Sequence, residues 1–127
     1  MTRVMLSREN ADNLLSTYTA DYPFSDIPGQ PSAAFRVRSA SMARINRWRE
    51  ASAGKNGGAV WRALCDLIAE SVIDENGEPI WTGAAIQEMS KANTKRFMDL
   101  QLGVLNHNGL QREDMTLEAL IEDEEKN

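Results

Sequence analysis

The stretch Ala59-Val-Trp-Arg-Ala-Leu-Cys-Asp-Leu-Ile-Ala-Glu-Ser-Val72 decides the fold class. Val60, Trp61, Leu64, Leu67, Ile68 and Val72 recur at the three- and four-residue spacing that gathers side chains on one face of an α-helix. Arg62, Asp66 and Glu70 fall on the other face. Such a stripe must be buried against other elements, so the flanking sequence is expected to supply them. Cys65 sits inside the pattern and reads as a small core residue.

Toward the N-terminus, Gly54-Lys-Asn-Gly-Gly58 is expected to stop a preceding helix. That helix is capped by Ser39 or Ser41 and places Met42, Ile45 and Trp48 on one face. Before it, Phe35-Arg-Val-Arg38 alternates apolar and basic residues, the period of a half-buried strand. Asp21 to Ser32 holds Pro23, Pro28, Gly29 and Pro31, which predicts a proline-rich loop over 21–32, either a partner-binding arm or a surface linker. Ser7 is placed to cap a short helix through about Thr19, anchored by Leu14 and Leu15.

Toward the C-terminus, Val72-Ile-Asp-Glu-Asn-Gly-Glu-Pro-Ile-Trp-Thr82 reads as a small hairpin. Apolar pairs flank Asn76-Gly77, a dipeptide suited to the positive φ angles of a tight turn. Thr82 then caps a short helix with Ile86 and Met89. A longer helix follows from about Lys91 to Asn106, with Phe97, Leu100 and Val104 on one seam and Leu102 and Leu105 beside it. Asn108-Gly109 stops it. Thr116 is a cap for a last helix, Leu117 to Ile121, which fades into an acidic end over 113–127. The expected fold is mainly α, a single helical domain spanning 1–127 with a small β-hairpin near residues 72–82.

Whole-chain numbers agree with that class. The 127 residues are 42% hydrophobic and 26% charged, a globular rather than disordered composition. One cysteine excludes an internal disulfide. The first residues are too short in apolar run for a signal peptide, and no stretch approaches the ~20 apolar residues of a membrane span. A net charge of −5 argues against a dedicated nucleic-acid binder. The charge is unevenly placed. Residues 33–55 carry Arg36, Arg38, Arg44, Arg47, Arg49 and Lys55 against Glu50, a net of +5. Residues 113–127 carry seven acids against Lys126, a net of −6. A basic segment and an acidic end can pair between molecules, and such a head-to-tail contact builds a ring or an open helical array.

No constellation of catalytic residues emerges. His107 is the one histidine and lies beside the Asn-Gly stop, where the helix dipole favours a cation. Neither it nor Cys65 has a sequence partner for a metal site. Asp74-Glu-Asn-Gly-Glu78 has glycine at its fourth position rather than the sixth that a calcium loop requires, so it reads as a turn. Phosphate-loop and nucleophile-elbow motifs are missing. The chain is therefore expected to be a binding protein with no catalytic, cofactor or metal site. Its candidate interaction residues are Arg44, Arg47, Trp48, Trp61 and Trp81, because Trp and Arg supply most binding hot spots. Trp48 has two readings: stacking on a base beside phosphate-binding Arg44 and Arg47, or core with Met42 and Ile45.

The run Val72-Ile-Asp-Glu-Asn-Gly-Glu-Pro-Ile-Trp81, the helix through Phe97 to Leu105-Asn-His-Asn-Gly-Leu110, and the acidic end closing in Glu125-Lys-Asn127 resemble the tail assembly chaperones of long non-contractile-tailed, lambda-like bacteriophages. The likeness covers roughly residues 60–127, with a looser fit at 35–50, and Asn106-His-Asn-Gly109 adds a residue to the usual turn. The resemblance implies a mainly helical, non-enzymatic protein of the host cytoplasm that is absent from the mature virion. It further implies binding to the tape measure protein, self-association, and action on the tail tube protein through a longer frameshifted form. Glu125-Lys-Asn127 is compatible with a slippery A AAA AAC codon run. Two other classes remain open from the residues: a nucleic-acid-associated regulator using segment 36–49, and a structural phage subunit.

Overall fold

The computed structural model describes residues 5–11, 17–24 and 33–110. In chain order the elements are α1 (Arg8–Ala11), β1 (Thr19–Pro23), β2 (Ala34–Arg38), α2 (Met42–Ala53), α3 (Gly57–Ser71), β3 (Val72–Ile73), α4 (Gly83–Ala92) and α5 (Thr94–His107). The architecture is mainly α with one small antiparallel sheet of order β1-β2-β3.

The stripe on α3 is the centre of the core. Leu64, Cys65, Leu67 and Ile68 are buried there, joined by Ile86 of α4 and by Phe97, Leu100, Val104 and Leu105 of α5. Phe35 and Val37 of β2 cover the same core from the sheet side. The starts of α2, α3, α4 and α5 each have a side-chain cap that satisfies an otherwise orphaned backbone N–H. Ser41 accepts from Arg44 N, Asn56 from Ala59 N, Thr82 from Ala85 N and Asn93 from Arg96 N.

The caps correct several expected boundaries. Gly54 does end α2, but Gly57 and Gly58 form the first turn of α3, because Asn56 caps there and an N-terminal glycine costs little. The helix expected from Lys91 begins at Thr94, since Asn93 both closes α4 and caps α5. Met42 does not join Ile45 and Trp48 in the core; it is 62% exposed at the first turn of α2.

The larger correction is at β1. Thr19 starts a strand rather than ending a helix, and Asp21-Tyr-Pro23 belongs to that strand rather than to a loop. Its residues pair in register with β2, from Thr19 opposite Arg38 to Pro23 opposite Ala34. Pro23 is tolerated because it closes an edge strand, where a ladder N–H is dispensable. The remainder of the expected proline-rich loop, the anchors Leu14 and Leu15, and the last helix with its acidic end lie outside the described residues.

The hairpin of residues 72–82 is present in a reduced form that also extends the sheet. Val72 and Ile73 pair with Val37 and Arg36 of β2, and Ile73 bridges Pro79. Between them Asp74 closes the turn by accepting from Asn76 N and Glu78 N, with Gly77 at φ +83°. The far end of α5 stops at Gly109, φ +66°, after which Leu110 N donates to Leu105 O and its side chain is buried.

Candidate functional site

A groove of about 610 Å³ opens where β1 and β2 meet the 74–81 turn. Phe24, Phe35, Ile73, Ile80 and Trp81 give it an apolar lining. Ile80 is 48% exposed and Trp81 half-buried, so the lining is accessible. Asp21, Arg36, Asp74, Glu75 and Asn76 form the rim. Strand alternation explains this placement: Tyr22 and Phe35 turn toward α5, whereas Asp21 and Arg36, opposite each other in the register, point outward. Arg36 Nε donates to Asp21 Oδ1 at 2.8 Å and Nη2 donates to Oδ2 at 3.2 Å. This two-pronged bond lowers the Asp21 pKa from the usual carboxylate value, and the same bond raises that of Arg36.

The wall of the groove is braced from behind. The Tyr22 ring lies against Phe35, and Phe24 meets Phe35 edge-on. Gly103 of α5 lets both rings approach the helix: a Cβ there would sit 2.6 Å from Phe35 Cζ and 3.3 Å from Tyr22 Cγ. Below them, His107 clamps β1. Its Nδ1 lies 2.9 Å from Tyr22 Oη, its Nε2 lies 3.1 Å from the Tyr18 carbonyl, and its ring stacks on Tyr18. Because a carbonyl can only accept, Nε2 donates to it, and in the neutral tautomer this selects, Nδ1 is the acceptor for the Tyr22 hydroxyl. His107 thus ends α5, but its structural task is to hold the strand. Burial, then the neighbouring Tyr18, raises the Tyr22 pKa.

The candidate interaction residues separate into distinct environments. Trp81 lines the groove. Arg47 is exposed on α2, away from it. Arg44 is engaged with two acids of α3, 3.7 Å from Asp66 and 4.0 Å from Glu70. Glu70 also accepts from the Ser41 backbone N and hydroxyl, and the Glu70 carbonyl accepts from Arg38 Nε, so these acids of α3 dock the start of α2. Trp48 is core, with Ile45. Trp61 is half-buried, its Nε1 donating to Ser90 Oγ at 3.1 Å while Lys91 Nζ stands 5.6 Å over its ring, a tie between α3 and α4.

Phe24, Ile80 and the Asp21–Arg36 pair were not singled out from sequence. The alternation of Ala20, Tyr22 and Phe24 with Thr19, Asp21 and Pro23 carried the signal, obscured by proline. Among the described residues, no group of three or more His, Cys, Asp or Glu side chains could hold a metal ion. No helix there is long and apolar enough to cross a membrane.

No protein-family model matches the chain, and no curated protein is significantly similar to it. Comparison with solved structures is more informative. The chain shares its fold with the tail assembly chaperone of bacteriophage HK97. The match has a TM-score of 0.52 and covers 79% of this chain and 97% of that one, at 12% sequence identity. At that identity the likeness is one of fold, and most side chains differ.

Proposed function

We propose that the chain is a bacteriophage tail assembly chaperone. In this reading it binds the tape measure protein, keeps that long helical client soluble, and promotes polymerisation of the tail tube without catalysing a reaction. The observation that carries it is the fold shared with the HK97 chaperone across nearly the whole of that protein. The resemblance of residues 60–127 to the same family supports it independently. An open apolar groove containing Trp81 and Ile80 suits side chains presented by a client at helical spacing. Self-association, contact with the tail tube protein through a frameshifted longer form, residence in the host cytoplasm and absence from the mature virion complete the proposal.

The arrangement of the basic segment speaks against a nucleic-acid role. Arg36, Arg38 and Arg44 are all engaged by acceptors of this chain, and Trp48 has no face to offer a base.

Co-expression with the tape measure protein encoded in the same genome tests the proposal. The client is expected to become soluble and to co-purify with the chain. A client equally soluble without it, with no co-purification, would overturn the reading.

A further inference from the structure

The rim of the groove is unevenly charged. Asp21, Asp74 and Glu75 stand on it against Arg36 alone, a net of −2. Arg36 is already held, since two of its nitrogens grip Asp21 while Glu75 acts on it only through space. Asp74 directs its bonds to neutral backbone donors, Asn76 N and Glu78 N, which leave its charge in place. Among the described residues, the exposed Glu75 carboxylate makes no hydrogen bond or ion pair. Glu78 is exposed in the same turn, and residues 74–78 contain no cation. Arg96 comes within 5.9 Å of the Phe24 ring but does not line the groove.

Negative potential beside an accessible apolar floor sets the chemistry of what fits. Ile80 and Trp81 offer area to apolar side chains, while Asp74 and Glu75 favour a cation next to them and disfavour an anion. A helix can present both features at once. Apolar side chains at i and i+4 make one stripe, and a long Lys or Arg on its flank reaches past the stripe to the rim. A second copy of the chain is the weaker fit, since two molecules of net charge −5 approach against mutual repulsion.

We propose that the groove selects a basic amphipathic helix of another protein, with its apolar stripe on Ile80 and Trp81 and a flanking Lys or Arg at Glu75. This deepens the chaperone reading, on which the helical form of the occupant rests. The client segment held here is cationic, and Glu75 discriminates it from an acidic one.

Synthetic peptides of about 18 residues, long enough to form a helix, test this against the full chain. They share leucines at one helical spacing, differ only in flanks of Lys, Gln or Glu, and are followed by the anisotropy of an attached dye. The Lys peptide is expected to bind about tenfold tighter than the Glu peptide at low salt, with a smaller gap at about 0.5 M salt. Glu75→Lys, which neutralises the rim, should narrow that gap to about twofold. Ile80→Ser should weaken all the peptides about fivefold alike, with circular dichroism unchanged. Equal affinities for the Lys and Glu peptides, or a preference untouched by Glu75→Lys, would overturn the proposal. Binding of no peptide, or binding unmoved by Ile80→Ser, would overturn it too. Self-association of the chain alone that Glu75→Lys abolishes would assign the groove to a second copy and overturn the client as its occupant. Co-purification of the tape measure protein without peptide selectivity would strike the groove chemistry alone. Peptide selectivity without co-purification would strike the chaperone reading alone.

Discussion

The helices α3 and α5 and the strand β1 are held in place by different means. α3 and α5 contribute fully buried side chains, including Leu67, Ile68, Leu100 and Val104, whose removal from water supplies most of the cohesion. β1 buries far less. Its alternating residues are only half-covered, and its position depends on the ladder to β2, the Tyr22–His107 hydrogen bond and an exposed ion pair. The groove is built on this second, more lightly held region. A binding surface there can adjust without disturbing the core, because locally weak elements open at lower cost than the whole fold.

Substitutions should break or sharpen the contrast in a definite order. Leu67→Ala, at a completely buried site of α3, is expected to lower unfolding free energy by about 2–5 kcal/mol in a urea titration. A loss below about 1 kcal/mol would mean that the centre of the core lies elsewhere. Gly103→Ala strikes the joint between the two regions. Its methyl group would collide with Phe35 and crowd Tyr22, so a loss of about 1–3 kcal/mol is expected. A neutral result would show that β1 and β2 stand off α5.

Tyr22→Phe removes the hydroxyl that donates to His107 and should cost about 1 kcal/mol. Amide exchange should accelerate in β1 while α3 stays protected; equal acceleration in both would erase the distinction between them. The smallest effect belongs to Asp21, whose ion pair is open to solvent. Its folded-state pKa is depressed by the Arg36 bond, so the associated stability is present above the ordinary carboxylate pKa and is lost as pH falls through the lowered value. Carbon-detected titration should find Asp21 below the usual range, and Arg36→Ala should return it there.

How far the sequence could anticipate the molecule follows the same division. α3 was legible because burial imposes its period directly on the apolar residues. Ser41, Thr82 and the Asn76-Gly77 turn were legible because their hydrogen bonds are local. β1 was not, since Pro23 is a loop signal by itself and only pairing with Ala34, distant in the chain, converts it into a strand end. Leu102 was expected beside the buried seam and instead lies on the exposed side of α5. Trp81 was singled out from sequence and lines the groove, but the bracing of its surroundings was not read there. The Asp21–Arg36 pair, the Tyr22–His107 bond and the docking of Arg44 onto Asp66 and Glu70 all join separate elements. Periodicity within one element contains no information about them.

Among the described residues, the order β1-β2-β3 leaves β1 at the border of a very small sheet. Such a border is a template on which foreign strands can grow, the first step toward uncontrolled aggregation. Here the invitation is brief: the strand has five residues, Pro23 withholds a donor, and a charged pair stands beside it on the outward face. Each of these features disfavours the addition of a further strand at that edge.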